Sequence, residues 1–107
     1  PQALDYVIIE ADGAKHHSLK YPAADEPVIY PGTTDVIIVL GTWEKGRSCK
    51  DVVFRYELMQ EELGTAEDAV VDDSVIDTLR QVYVRKLRDS GFEGQVSCVF
   101  ANGRGWF

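Results

Sequence analysis

Two carboxylates end the first apolar segment of the chain, where Glu10 and Asp12 follow residues 7–9. Side chains two positions apart on an extended strand point to the same side. Both carboxylates can therefore converge at the carboxyl edge of a sheet, which is where open α/β sheets bind ligands. Two oxygen donors there suit Mg²⁺, which takes one or two carboxylates together with waters and phosphate oxygens. The alternative is a strand that ends in two solvated acids before a turn.

The residues after these carboxylates add a turn and positive charge. Gly13 lets the backbone turn sharply or approach a ligand closely. Lys15 can meet an anion, or it can simply neutralise the two carboxylates. His16 and His17 are adjacent, so in an extended segment their side chains point apart, and we expect a solvated pair rather than two ligands of one metal ion.

A second candidate is the stretch LGTWEKGRS at residues 40–48, which has nearly the glycine and basic-residue spacing of a phosphate-binding loop. Arg47 stands where such a loop has lysine, and the two side chains are not interchangeable. Trp43 and Glu44 occupy positions where small residues normally expose backbone N–H groups, and Glu44 would repel phosphate. We interpret the stretch as a turn after a strand, with Ser48 near the start of a helix.

The elements that must position these residues follow from the apolar pattern. Continuous apolar runs predict strands covered on both faces, as in a parallel sheet, at residues 6–9, 36–40 and 96–101. Spacings of three and four predict two amphipathic helices. The first carries Val52, Tyr56, Met59 and Leu63 before Gly64, and the second carries Ile76, Leu79, Tyr83 and Leu87, with Asp72 or Asp73 as its cap and Gly91 after its end.

This order of elements predicts an α/β fold with a mainly parallel sheet and flanking helices. The loop at residues 11–34 is longer than a simple connection, so it is functional or disordered. Within it, Val28 and Ile29 are expected to be buried and to anchor the loop on the sheet. We expect a single α/β domain over residues 1–107, cut from a longer protein, with an exposed apolar edge or face and a tendency to self-associate.

Composition excludes several classes of protein. The chain has 107 residues and a formal charge of −7, which argues against nucleic acid or an anionic membrane as the main partner. Its apolar runs are too short to span a membrane, and no secretory signal opens it. Cys49 and Cys98 are too few for a disulfide framework, so a cytoplasmic setting is expected. Cys98 is expected to be an inert core residue, and Cys49, although Lys50 beside it could lower its pKa, is not expected to be catalytic.

Longer motifs carry a resemblance to a known family. The pattern runs from an apolar strand through Glu-Ala-Asp-Gly, Leu-Lys-x-Pro and Glu-Pro-Val-Ile-x-Pro, and continues more loosely to residues 54–58. It resembles the YqeC-type selenium cofactor biosynthesis family, accessory proteins of selenium-dependent hydroxylases. The matching positions are Glu10, Ala11, Asp12, Gly13, Lys15, Leu19, Lys20, Pro22, Glu26, Pro27, Val28, Ile29 and Pro31.

The resemblance implies a partial, three-layer architecture like that of P-loop nucleoside triphosphatases, with the phosphate loop upstream of the Glu-Ala-Asp-Gly strand. It implies an accessory factor for the maturation of selenium-dependent molybdenum hydroxylases, with such a hydroxylase as partner and with Mg²⁺ and a nucleoside triphosphate as cofactors. Glu10 and Asp12 would be the catalytic and metal-binding residues. The residues that the resemblance implies for binding nucleotide or substrate are Gly13, Lys15, Lys20, Glu26 and Arg55.

Two other functions remain open from the residues. One is a protein-binding module without catalysis, in which the acidic surface and the proline-rich loop meet a protein partner. The other is a small metal-assisted hydrolase that uses Glu10, Asp12 and Glu26. That function requires the three carboxylates to lie within roughly 4–5 Å of one ion.

Overall fold

A computed structural model describes residues 6–10, 19–27, 29 and 31–101, and in the first strand it describes only the side chain of Ile8. The elements of this part of the chain follow in order. They are β1 (Tyr6–Glu10), β2 (Leu19–Lys20), β3 (Asp35–Gly41), α1 (Cys49–Val52), β4 (Val53–Phe54), α2 (Tyr56–Leu63), α3 (Asp73–Asp89) and β5 (Gln95–Ala101).

The three long strands form one parallel sheet in the order β1-β3-β5. Across the sheet Glu10 is level with Val39, and Val39 with Val99, so the carboxyl ends of the strands share one edge. The central strand β3 is rich in β-branched residues and contains no proline, which suits a strand paired on both sides. The predicted α/β fold with a mainly parallel sheet is confirmed.

A second, two-stranded sheet was not predicted. Strands β2 and β4 pair in parallel, with Leu19 opposite Val53 and Lys20 opposite Phe54. Strands this short have no apolar periodicity that a sequence pattern could show. The helix predicted over 52–63 is therefore wrong in its first part, because β4 interrupts it and α2 begins only after Arg55. Its predicted end is confirmed, since Gly64 has left-handed backbone angles with φ 69°.

Helix α3 is the longest helix of the described part, and its prediction is confirmed. Asp72 caps it, because the carboxylate accepts a hydrogen bond from the backbone N–H of Val75 at 2.9 Å. Its buried stripe packs against the sheet and consists of Ile76, Leu79, Val82, Tyr83 and Leu87. Lys86 and Arg88 lie in the last turn, where positive charge suits the helix dipole.

The core lies between α3 and the face of β3 that carries Val36, Ile38 and Leu40, all fully buried. On the opposite face apolar side chains remain open to solvent, since Ile8 is 62% exposed and Val99 is 48% exposed. These exposed side chains agree with the expected apolar face, and self-association stays a prediction.

Ile29, one of the two residues predicted to anchor the loop at residues 11–34, is partly buried and packs against the core. Val28, the other, lies outside the described residues. Within the described ranges, none of the helices combines the length and the apolar character needed to cross a membrane.

Candidate functional site

Three charged residues meet beside the two-stranded sheet, two from the segment at residues 19–27 and one, Arg55, 29 positions beyond Glu26. Lys20 Nζ lies 3.6 Å from Glu26 Oε2, and Arg55 Nη1 lies 3.1 Å from Glu26 Oε1. We call them the Lys20–Glu26–Arg55 cluster. Their side chains are 25%, 31% and 31% exposed, so solvent screens their charges less than it would on an open surface.

Lys20 is held in place through its backbone. The hydroxyl of Tyr83 in α3 donates a hydrogen bond to the carbonyl oxygen of Lys20 at 2.8 Å, and the N–H of Tyr21 donates to the carbonyl of Phe54 at 2.9 Å. Tyr83 is almost completely buried, and this burial raises the pKa of its hydroxyl well above the ordinary value. The hydroxyl therefore remains protonated and keeps donating over the whole physiological range.

Tyr21 ties the same strand to α2. Its ring is fully buried, and its hydroxyl donates to Glu62 Oε1 at 2.7 Å. Burial and the hydrogen bond to the Glu62 carboxylate raise the pKa of Tyr21, so this hydroxyl is also protonated at neutral pH. Two tyrosines thus hold β2 and the residue after it, Tyr83 from α3 and Tyr21 through Glu62 of α2, which explains how so short a strand can position Lys20.

Arg55 combines an unusual backbone with a well-held side chain. Its φ of 67° and ψ of 40° are left-handed, which costs a residue with a Cβ roughly 1–2 kcal/mol. Its Nη1 donates to the carbonyl of Tyr21 at 3.3 Å and to Glu26, and its guanidinium lies 4.8 Å from the centre of the Phe54 ring. These contacts offset the strain, and strained backbone of this kind is typical of functional positions.

Glu26 holds the two cations together. Burial alone would raise the pKa of its carboxyl, but the N–H of Ala23 at 3.1 Å and the charges of Lys20 and Arg55 outweigh burial. The pKa therefore lies below its ordinary value, and the carboxylate is ionised at neutral pH. Two cations face one carboxylate, which leaves one positive charge in excess. The cluster is chemically suited to binding an anion such as a phosphate or a carboxylate.

Comparison with known families decides the relationship of the chain. The family model described as YqeC protein matches residues 1–57, more than half of the chain. The chain belongs to the YqeC family. Comparisons with curated proteins and with solved structures give no match in either set.

Membership of the YqeC family supports an accessory role for selenium-dependent hydroxylases. The matched span includes every residue of the Lys20–Glu26–Arg55 cluster and ends two residues after Arg55. Most of α2, all of α3 and all of β5 lie beyond it. The family pattern therefore covers the charged residues of the cluster but not Tyr83, which supports Lys20 from α3.

For the remaining predicted site residues of this YqeC-family chain, the structure describes at most the backbone. Glu10 ends β1 beside Val39, but its side chain is not described, and neither are Asp12, Gly13 and Lys15. Their convergence on a metal ion stays a prediction. Among the residues that the structure does describe, no group of three or more His, Cys, Asp or Glu side chains could hold a metal ion.

The stretch at residues 40–48 forms a turn after β3, as interpreted from sequence. Arg47 Nη1 lies 2.8 Å from Glu44 Oε2, and in the described structure Glu44 Oε1 is buried without a hydrogen-bond partner. The N–H of Gly46 and the carbonyl of Arg47 bond to the backbone of Val71 at 2.8 Å each. A buried carboxylate in a turn already bonded to a neighbouring segment is unsuited to cradling phosphate.

Burial makes both cysteines poor candidates for a nucleophile. Cys49 is fully buried, and burial together with the charge of Asp72 raises the pKa of its thiol, so the alternative of a lowered pKa beside Lys50 is wrong. Burial also raises the pKa of Cys98, which packs against the core. Neither thiol has the thiolate character that a nucleophile needs.

Sequence reasoning missed the two tyrosines that support the cluster. The apolar pattern places Tyr83 only in the stripe of a helix, and no motif singles out Tyr21. The available signal was weak. Tyr21 directly follows Lys20 in a proline-rich segment, and a buried tyrosine normally needs a partner for its hydroxyl.

Proposed function

We propose that this chain is part of an accessory factor for the maturation of selenium-dependent molybdenum hydroxylases, and that the factor binds a nucleoside triphosphate together with Mg²⁺. In this proposal Lys20 and Arg55 contact the negative charge of the nucleotide or substrate. Glu26 keeps the two cations in place. A selenium-dependent molybdenum hydroxylase is the protein partner.

The observation that carries this proposal is the meeting of Lys20, Glu26 and Arg55 in one half-buried cluster. The two cations are separated by most of the matched span, yet both lie within 3.6 Å of the same carboxylate. The Arg55 backbone is strained and the Lys20 backbone is fixed from α3, so the charges are positioned before any ligand arrives. Positioned cations bind an anion at a lower entropic cost than mobile ones.

The metal part of the proposal rests on the carboxyl edge of the sheet. Glu10 ends β1 at that edge, level with Val39 of the central strand. We propose that Glu10 and Asp12 hold Mg²⁺ and orient a water molecule, with Gly13 and Lys15 close to the ligand. Phosphate oxygens of the nucleotide would complete the coordination shell.

Titration of Mg²⁺–nucleotide into the protein tests the cluster. Arg55→Ala should weaken binding by about 10- to 100-fold, because it removes a charged donor from the anion. Arg47→Ala is the matched control, since Arg47 also pairs with one glutamate but lies in the turn after β3. If Arg47→Ala weakens binding and Arg55→Ala does not, the anion binds at the turn and the proposal is wrong.

Glu10→Gln and Asp12→Asn test the metal. Each should weaken the binding of Mg²⁺–nucleotide but leave the binding of nucleotide without Mg²⁺ nearly unchanged. Glu57→Gln is the control, because Glu57 is an exposed glutamate of α2. Equal affinity of both variants and wild type for Mg²⁺–nucleotide would show that these carboxylates are only a solvated strand end.

The exposed apolar face favours a second function, a protein-binding module without catalysis. Ile8 and Val99 are exposed on the sheet face away from α3, where a partner could pack. In that case a purified hydroxylase should bind the wild type but not Ile8→Asp, and added nucleotide should not change the affinity. A nucleotide-dependent affinity would instead support the accessory factor that binds nucleotide.

A further inference from the structure

A cavity of about 450 Å³ opens at the carboxyl edge of the three-stranded sheet, between the ends of β3 and β5 and the first turns of α3. Its volume lies in the range of pockets that bind small organic molecules. We call it the Phe100 cavity. Its lining combines an aromatic ring, an aliphatic side chain, a hydroxyl, a cation and two carboxylates, contributed by Thr42, Lys45, Asp73, Ile76, Asp77 and Phe100.

The aromatic ring of Phe100 is exposed at this cavity. Phe100 is 52% exposed, although the next residue, Ala101, is almost fully buried. The N–H and hydroxyl of Thr42 both donate to the carbonyl of Ala101, at 2.8 and 3.1 Å, and so fix the end of β5 against β3. A large apolar ring on a fixed backbone, facing a cavity, is a surface on which a planar ligand can stack.

The polar groups of the cavity are mainly hydrogen-bond acceptors. Asp73 Oδ1 lies 2.8 Å from Lys45 Nζ, and this carboxylate is largely exposed. Hydrogen bonds from Arg80 and Gln81 lower the pKa of Asp77, so it stays ionised. Ionised carboxylates accept hydrogen bonds and cannot donate them. The cavity therefore favours a neutral ligand with N–H donors and disfavours a phosphate group inside it.

We propose that the Phe100 cavity binds a purine ring, either of a nucleoside or of the base end of a nucleotide. The ring stacks on Phe100, and its N–H groups donate to the carboxylates of Asp73 or Asp77. Lys45 donates to an acceptor atom of the ring. This proposal goes beyond the proposed function, since it requires neither Mg²⁺ nor the Lys20–Glu26–Arg55 cluster.

Nucleosides without phosphate test the ring-binding site directly. Calorimetric titration of adenosine and guanosine into the wild-type protein should give saturable binding of at least one of them. Phe100→Ala should weaken it by about 5- to 150-fold, the range typical of base–aromatic stacking. Phe100→Leu, which keeps an apolar side chain and is expected to fold, should also weaken binding because it has no ring.

Ser97→Ala is the matched control, because Ser97 is exposed on the other face of the same strand. Its affinity should equal that of wild type. Equal losses in Phe100→Leu and Ser97→Ala, or no saturable binding of either nucleoside at millimolar concentration, would overturn the proposal. Binding of Mg²⁺–nucleotide without any binding of nucleosides would support the proposed function and still overturn this site.

Purine riboside, which lacks the exocyclic amine of adenosine, tests the role of the carboxylates. Wild type should bind adenosine more tightly than purine riboside. In Asp73→Asn and Asp77→Asn this preference should shrink, because an acceptor oxygen is replaced by an amide donor. Equal affinity of wild type for adenosine and purine riboside, together with weak guanosine binding, would show that N–H groups are not recognised and would overturn this part of the proposal.

Discussion

The Lys20–Glu26–Arg55 cluster and the Phe100 cavity share one support, helix α3, yet they are built in opposite ways. In the cluster, charges are half-buried, and Tyr83 of α3 fixes the backbone that carries Lys20. In the cavity, α3 contributes Asp73 and Asp77 directly, and the charges are more exposed. The cluster carries excess positive charge, which suits the proposed anion, whereas the cavity has an aromatic face and hydrogen-bond acceptors, which suit the proposed neutral ring.

The two regions also differ in their relation to the YqeC family. Every residue of the cluster lies within the matched residues 1–57. Four of the six residues that line the cavity lie beyond that span, and they are Asp73, Ile76, Asp77 and Phe100. The family model therefore includes the whole cluster, whereas most of the cavity lining comes from residues that the model does not match.

The largest expected effect comes from the shared support. Leu79 is fully buried in α3, and Leu79→Ala should lower the free energy of unfolding by about 2–5 kcal/mol. Because α3 supports both the cluster and the cavity, urea unfolding should remain a single transition. The affinity of the cluster for nucleotide and that of the cavity for nucleoside should fall together. Ser74→Ala, an exposed change in the same helix, should stay near the wild-type stability. Loss of only one affinity in Leu79→Ala would show that the regions are supported independently.

Removing one hydroxyl should separate the two regions. Tyr83→Phe removes the hydroxyl that donates to the part-buried carbonyl of Lys20, which should cost about 1–3 kcal/mol in urea unfolding. Nucleotide binding at the cluster should weaken, whereas nucleoside binding at the cavity should not change. Tyr56→Phe is the matched control, because it removes a hydroxyl that donates to the carbonyl of Ala66, away from Lys20. Equal losses of nucleotide affinity in both variants would contradict the specific role of Tyr83.

Arg55 allows backbone strain and side-chain contacts to be separated. Arg55→Ala and Arg55→Gly both remove the ion pair with Glu26, but only glycine adopts left-handed angles without a Cβ penalty. Arg55→Gly should therefore be more stable than Arg55→Ala by about 1 kcal/mol in urea unfolding. The reverse order would show that the backbone at this position is not strained.

The pKa of Glu26 predicts a pH dependence for the cluster. Because the folded protein lowers this pKa, Glu26 stabilises the fold fully above its unfolded-state pKa, and this contribution is lost as pH falls through the folded-state pKa. The stability difference between wild type and Glu26→Gln should thus be largest near neutral pH and shrink in acid. A difference that grows in acid would contradict the direction of the shift.

The smallest expected effect is the coupling energy of the ion pair in the cavity, which we compare with the coupling energy of an ion pair in the cluster. A double-mutant cycle on Lys45 and Asp73 should give a coupling of about 0.2–1 kcal/mol, since both side chains are well exposed. The cycle on Arg55 and Glu26 should give a larger coupling, and added salt should reduce it less. Equal couplings with equal salt dependence would remove the electrostatic difference between the two regions.

The sequence predicted the long elements well because they carry periodic patterns. Helix α3 has a complete apolar stripe with Asp72 before it, and the three long strands are continuous apolar runs. Strands β2 and β4 were missed because two residues show no period. The helix predicted over 52–63 is wrong at Arg55, which has left-handed backbone angles. The prediction missed them because arginine is not a residue type that indicates such angles.

The candidate site was predictable only as a set of residues. The family resemblance selected Lys20, Glu26 and Arg55, and the structure brings these three side chains together. Their supports depend on long-range packing, which no local pattern contains. The Phe100 cavity depends on Thr42, Ile76 and Phe100 meeting across the fold, so an exposed aromatic at the end of a strand was the only available hint.

The hydroxyl of Tyr83 reaches across 63 positions of the chain to the carbonyl of Lys20. Anyone who grafts residues 1–57 onto a different α/β scaffold would therefore inherit the charges without the group that holds one of them. A functional chimera would need a phenol at the equivalent point of its new helix. Protein engineers should accordingly treat Tyr83 as part of the minimal unit that is transferred.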